Sequence, residues 1–338
     1  MASITIGLGA AAALILLAFG ARGQPVPDCR QAKTAADKAI CGNVELAAAD
    51  KAMADSYTAL RAKLPPDQQK ALLADQRRWI TRRTAACGDK SDDALAQCLR
   101  AETEARRRFL AGESANGARD APRIVPILFH EARKGRYEIS IETPQMLTPR
   151  GSAATAFEQA ARAIAFGKNA VKEYREMERP MAKGAENYYE ATYELSYADP
   201  KLISLVFTIA TFSGGAHPNS ARIALLFDLA AGRALKLADV LADPKTAVAE
   251  IAARCKTQLE EQAKKEDWEL FDNADVTAVV GEDTNWAANK EGVEILFDPY
   301  SVAPYVVGPR ECRLSYADVK QWLNPSGPLP PAIARRTE

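Results

Sequence analysis

The chain has 338 residues, 47% of them hydrophobic and 26% charged, with 44 Lys plus Arg set against 44 Asp plus Glu. That length and composition suit a globular protein of two modest domains. The balance excludes a globally basic surface that seeks nucleic acid, so any electrostatic specialisation must be local.

The first stretch, MASITIGLGAAAALILLAFGARGQPVPDC, is apolar from Ile4 to Phe19. That is the length of a signal-peptide core and short of a bilayer span. Ala21-Arg22-Gly23 places small residues where a signal peptidase reads them, so residues 1–23 are expected to be a signal peptide cleaved before Gln24. Met1-Ala2-Ser3 carries no Lys or Arg, which leaves retention as an uncleaved anchor as the alternative. Pro27-Asp28 before Cys29 is no lipobox. The expected location is therefore periplasmic or secreted.

Six cysteines follow: Cys29, Cys41, Cys87, Cys98, Cys255 and Cys312. An even number in an exported chain reads as disulfides, because thiols oxidise outside the cytosol. No CxxC pair occurs, which removes zinc-ribbon and thioredoxin readings. Four cysteines cluster before residue 100 and two lie far downstream, a split that suggests two separately stapled domains.

From Thr34, the positions Ile40, Val44, Ala47, Met53, Tyr57, Leu60 and Leu64 recur at steps of three and four, predicting one amphipathic helix. Thr34 and Asp37 form a capping-box pattern, with Asp in place of the usual Glu or Gln. Pro65-Pro66 stops that helix and permits the next, which sets Leu72, Leu73, Gln76, Trp79, Ile80 and Arg83 along one side. A third helix is expected from Asp92 to about Leu110, carrying Cys98 and the basic run Arg106-Arg107-Arg108. Trp79 reads as core, and Arg77, Arg78, Arg82 and Arg83 as a solvated face with local ion pairs. An antiparallel hairpin makes Cys41–Cys87 with Cys29–Cys98 reasonable, and the local pairing Cys29–Cys41 with Cys87–Cys98 stays equally open. Each bridge contributes about 2–4 kcal/mol to a core this small.

Cys29-x4-Thr34-x6-Cys41, the Leu46…Asp50…Tyr57…Leu60 helix, Gln76-Arg77-Arg78-Trp79-Ile80…Arg83…Cys87 and Cys98-Leu99 together resemble the LprI-type lysozyme-inhibitor domain. The resemblance spans about residues 28–110 and implies an exported helical module, able in some members to inhibit lysozyme.

The polar stretch Gly112–Pro122 lacks periodicity and reads as a linker between a helical domain at 24–111 and a second domain at 123–324. A Pro-rich tail, 325–338, follows. In the second domain, Arg123–His130 and Arg136–Thr143 are expected strands, and Ala153–Met177 a helix. Tyr188–Tyr197 alternates with period two, Leu202–Phe212 is continuously apolar, and Arg222–Asp228 closes a hairpin across SGGAHPNSA. A long helix from Lys245 to about Lys265 holds Cys255. Strands are expected near Val276–Val280 and Val293–Phe297, then a terminal strand and short helix. The expected fold class is thus α+β: a disulfide-stapled three-helix module, then a mainly antiparallel sheet with packed helices.

Phe212-Ser213-Gly214-Gly215-Ala216-His217, Phe227-Asp228-Leu229 with Gly232-Arg233, and Phe297-Asp298-Pro299-Tyr300…Pro304-Tyr305…Gly308 resemble the RsiV C-terminal domain. That resemblance spans about residues 124–323 and implies an extracytoplasmic α+β domain, which in RsiV belongs to an anti-sigma factor that recognises lysozyme. Related domains also accompany cell-wall polysaccharide deacetylases. Only three residues precede the apolar run here, so the sigma-regulating role is not expected to carry over. Cys255 and Cys312 depart from the pattern and read as a staple from helix to strand.

His217 is one of two histidines, and His130 has no ligand spacing to it. A catalytic or metal role needs partners that the sequence does not place beside it. The expected role is structural: Gly214 and Gly215 turn the hairpin while His217 and Asn219 satisfy turn backbone groups, with partner contact second. The sharper candidate surface is residues 259–286, where Glu266, Asp267, Asp272 and Asp275 surround Trp268 in a local excess of negative charge. Acidic and aromatic groups together steer and anchor a basic protein. EF-hand spacing is missing, and no metal, cofactor or catalytic residue is assigned. The expected function is a periplasmic binding protein that recognises lysozyme-type muramidases and inhibits them by covering their cleft. A peptidoglycan-associated module is the alternative, and a cell-wall hydrolase the third reading.

Overall fold

The structure is a computed structural model and describes residues 29–113, 120–177 and 186–329. The expected signal peptide, the middle of the linker and the end of the tail lie outside the described residues.

Thr34 opens helix α1 (Ala35–Gly42) with the expected capping box: its hydroxyl accepts from Asp37 N at 3.0 Å and its own N–H donates to the Asp37 carboxylate at 3.1 Å. The single helix expected onward from Thr34 is two. Asn43 is extended, and its side chain accepts from Leu46 N at 2.9 Å to start α2 (Val44–Arg61). Gly42-Asn43 pairs a weak helix former with a strong cap, which explains the break. Helix α3 (Pro66–Cys87) begins with Pro66 in its first turn, and α4 (Asp92–Ala111) ends on Gly112 at φ 70°. A Cβ on Gly112 would meet Ile124 O at 2.7 Å, so both its conformation and its neighbour require glycine. The bridges take the local pairing, Cys29–Cys41 and Cys87–Cys98. The break after α1 leaves Cys41 at the end of that short helix, facing Cys29 with Cα atoms 5.6 Å apart.

A six-stranded sheet follows in chain order: β1 (Arg123–Arg133), β2 (Tyr137–Thr148), β3 (Asn187–Ala198), β4 (Leu202–Phe212), β5 (Asn219–Asp228) and β6 (Arg233–Ala234). Every pairing is antiparallel except β2 with β3, whose parallel register ends at Ile141 opposite Ala191. Their connection carries α5 (Ser152–Phe166) and α6 (Ala170–Glu176). The one helix expected there is interrupted at Gly167, which takes φ 57°. Phe157, Ala161 and Ala165 of α5 are fully buried in one core with Ile139, Ile141, Leu205, Phe207 and Phe227.

The chain continues through α7 (Leu237–Val240), α8 (Pro244–Glu266), α9 (Val276–Val280), β7 (Trp286–Ala288), β8 (Gly292–Phe297), β9 (Arg310–Ser315) and α10 (Tyr316–Val319). Strands β7–β8–β9 form a second, antiparallel sheet, and Cys255 of α8 is bonded to Cys312 of β9 as expected. Val276–Val280 is a helix where a strand was expected. Asp275 caps it by accepting from Ala278 N at 2.9 Å, and Val276 and Val280 are buried at helical spacing. The two sheets meet where Ala288 N donates to Ser204 Oγ at 2.9 Å.

The helices pack directly on the sheet. Met53, Tyr57, Leu60, Leu72 and Trp79 share a hydrophobic core with Val125 and Leu128 of β1. The arginine run is a solvated face only in part: Arg77 and Arg82 are exposed, and Arg78 and Arg83 are not. Arg83 is buried, bonded to Asp50 at 3.1 Å and Thr103 at 2.9 Å, with its guanidinium 4.6 Å from the Trp79 ring. Arg78 reaches Glu138 of β2 at 3.3 Å and Arg82 pairs with Glu190 of β3, so both join helix to sheet.

Candidate partner-binding surface

The hairpin between β4 and β5 turns through Ser213–Pro218. Gly214 and Gly215 take φ 102° and 109° with open space around them, so the turn needs their conformational freedom alone. His217 Nδ1 lies 2.8 Å from the Pro218 carbonyl, a turn backbone group, as expected. Its ring also stacks on Tyr305, with centroids 3.9 Å apart and planes at 17°. Tyr305 donates its hydroxyl to the same Pro218 carbonyl at 2.6 Å, and the Tyr300 hydroxyl approaches His217 Nε2 at 3.4 Å.

Tyr300, Tyr305 and Val306 belong to the connection between β8 and β9. Arg222 of β5 anchors that connection: its N–H donates to Asp298 at 2.7 Å and its guanidinium bonds Glu311 and the Arg310 carbonyl, each at 2.5 Å. Burial raises the Asp298 carboxyl against the pull of Arg222. Tyr300 is 56% exposed and Val306 91%, and Val44 is the one other large hydrophobic so exposed among the described residues. Tyr300 also sits at φ 69°, a conformation that a bulky side chain seldom takes. The residue types were visible in sequence, and their meeting with His217 was not.

The acidic stretch runs along the other side of the same connection. Phe271 N donates to Val302 O at 2.9 Å. Glu266 pairs with Arg310 at 2.5 Å, and the Arg310 guanidinium lies 4.8 Å over the half-buried Trp268 ring. Asp267 ends α8 in the left-handed region at φ 57°. Asp275 is occupied as the α9 cap, and Asp283 accepts from Leu237 N at 2.6 Å. Trp286 is fully buried, donating its indole N–H to Val280 O at 2.8 Å. Exposed Asp267, Glu269 and Asp272 have no ion-pair or hydrogen-bond partner for their side chains among the described residues. The structure thus brings His217 and the 266–272 segment to one loop, with Tyr300, Tyr305 and Val306 between them. His130 lies elsewhere, on β1, with Nε2 3.0 Å from Glu138.

Residues 29–110 match the family model described as lysozyme inhibitor LprI. Residues 131–220 match that of deacetylase PdaC, and residues 238–317 that of DUF3298, a protein family of unknown function. The chain is therefore similar to the LprI family in its N-terminal part and to the PdaC and DUF3298 families in its C-terminal part. Among solved structures, a DUF3298 family member from Bacteroides fragilis aligns at 15% identity with TM-score 0.48, covering 64% of this chain and 97% of its own. A DUF3298 family protein from Pseudomonas aeruginosa aligns at 17% identity with TM-score 0.44, covering 60% and 95%. No curated protein matches the chain. The LprI domain and the three disulfides fit an extracytoplasmic protein. No helix among the described residues is long and apolar enough to cross a membrane.

Proposed function

We propose that this protein is an exported binding protein without enzymatic activity that recognises lysozyme-type muramidases. The observation that carries the reading is a surface of exposed Tyr300 and Val306 with half-buried Tyr305 stacked on His217, flanked by Asp267, Glu269 and Asp272, which are unpaired among the described residues. Exposed aromatics anchor an interface, and adjacent negative charge steers a basic partner towards it. The LprI match adds inhibition to recognition, through occlusion of the muramidase cleft. Nothing in that act needs a nucleophile or a proton shuttle.

The test is titration of the protein beginning at Gln24 into lysozyme, with binding and cell-wall lysis followed across a salt series. The reading expects saturable binding and slowed lysis, both weakening as salt rises. Absence of binding and inhibition at low salt overturns it. Capture by insoluble peptidoglycan alone would replace it with the envelope-module alternative.

A further inference from the structure

Beyond the end of the register between β2 and β3, helices α3 and α4 border an open cleft of about 390 Å³. That volume lies in the range of small-molecule sites. The cleft shares no residue with the Tyr300 surface.

Its apolar wall is aromatic. The Phe109 ring of α4 lies 5.1 Å from that of Tyr193 on β3, and Trp79 stands beside them. The Tyr193 hydroxyl is buried with no hydrogen-bond partner among the described residues. A buried hydroxyl in that state is a standing demand for a polar group.

The charged wall carries both signs. Arg82 and Arg106 are already neutralised, by Glu190 and Asp75. Arg108, Glu102 and Glu194 also line the cleft, and their side chains make no hydrogen bond or ion pair among the described residues. Glu194 is exposed at the rim of the cleft, where partial loss of water and then repulsion from Glu294, Glu311 and Glu102 hold its carboxyl above the usual carboxylate range, with Arg108 opposing. An arriving ammonium group would relieve that repulsion, and Arg108 keeps five donors for a carboxylate. A simple anion would meet the glutamates, and a simple cation would leave Arg108 unanswered.

We infer that this cleft binds a small zwitterion, an amino acid or short peptide with free ends. Its ammonium group sits at Glu194 and Glu102, its carboxylate at Arg108 and the Tyr193 hydroxyl, and its apolar side chain against the Phe109 and Trp79 rings. The assignment rests on the volume of the cleft, the unpartnered Tyr193 hydroxyl and the charges of both signs that line it.

Calorimetric titration of the full mature chain with the dipeptide alanyl-phenylalanine tests it. Saturable binding is expected, at least about tenfold weaker for the N-acetylated and for the C-amidated dipeptide. Glu194→Gln should remove the preference over the N-acetyl form, and Arg108→Gln the preference over the amide. Both substitutions replace unpaired side chains, and thermal melts confirm that the variants fold. No binding up to about 10 mM, equal affinity for the blocked forms, or variants that bind like the parent each overturn the proposal.

Discussion

Asp75 of α3 and Arg106 of α4 form an ion pair sealed from water, their side chains 1% and 4% exposed. Glu142 of β2, also buried, lies close enough to Asp75 for their charges to interact. Burial opposes ionisation of Asp75, yet the charge and hydrogen bond of Arg106 outweigh it and hold that carboxyl below its ordinary range. Burial first, and then the Asp75 charge, push the Glu142 carboxyl well above its own. The cluster therefore titrates as a unit in which Glu142 is the carboxyl that keeps its proton to higher pH. It joins the helical domain to the sheet.

The sign of its pH dependence follows. Unfolded, Glu142 loses its proton near an ordinary carboxylate pKa of about 4.3, while folded it keeps it to higher pH. Above that pH the folded state binds more protons, so this group's contribution to stability falls as pH rises towards the folded pKa. Glu142→Gln keeps a neutral polar side chain of the same shape beside Asp75 and removes the titration. The melting temperature of the variant relative to the parent should therefore rise between pH 4 and pH 8. A flat difference would mean that Glu142 is not the proton carrier.

Arg106→Leu makes the opposite point. It leaves the Asp75 charge buried and uncompensated, and it removes the guanidinium that lies 5.1 Å from the Phe109 ring. Breaking a buried pair from one side costs about 3–5 kcal/mol. Urea unfolding should show that loss in the parent background, and a much smaller one where Asp75 is already Asn.

Local signals were the legible part of this fold. The Thr34–Asp37 box, the start of α3 at Pro66 and the β4–β5 hairpin all follow from short-range chemistry, and the α8–β9 disulfide from the only two cysteines beyond residue 100. Val276–Val280 went the other way because a short apolar run fits helix or strand, and the Asp275 cap decides it. The arginine run misled for a different reason. Arg78 finds Glu138 60 residues away and Arg82 finds Glu190 108 residues away, partners that helical periodicity cannot show. His217 and Tyr300, 83 residues apart, meet for the same long-range reason.

Asp239 of α7 offers a clean titration. Two guanidinium hydrogen bonds from Arg233, at 2.7 and 2.8 Å, lead the causes that lower its carboxyl to about 2. The backbone N–H of Lys236 adds to the effect. A lowered folded pKa stabilises above the unfolded value of about 3.9 and is lost as pH falls through the folded one. Carboxyl NMR should place Asp239 at about 2. Arg233→Ala should move it most of the way back towards the ordinary carboxylate range.

The three disulfides should not contribute equally. Cys255–Cys312 spans 57 residues, against 12 and 11 for the other two. Loop-closure entropy assigns about 4 kcal/mol to the long bridge and about 3 kcal/mol to each short one. It also ties α8 to the sheet that carries the loop bearing Tyr300. Paired Cys→Ser replacement at Cys255 and Cys312 should lower the melting temperature more than replacement at Cys29 and Cys41. Equal effects would show that the unfolded chain already holds the long loop closed.

Tyr300 joins strain to exposure. Its φ of 69° is left-handed backbone, where a side chain costs about 1–2 kcal/mol and glycine nothing. Tyr300→Gly should therefore leave stability unchanged or raise it by about 1 kcal/mol, after the extra freedom of the unfolded glycine is counted. If the Tyr300 surface is the contact, the same variant should release lysozyme faster, because a central aromatic governs dissociation. The acidic flank should act on the other rate. Asp267→Asn suits the left-handed position at the end of α8, and Asp272→Asn alters no bond among the described residues. Together they should slow association at low salt by several-fold, leave dissociation nearly untouched and flatten the salt dependence. Surface plasmon resonance across a salt series separates the two effects. Equal dissociation rates for Tyr300→Gly and the parent would remove this surface from the interface.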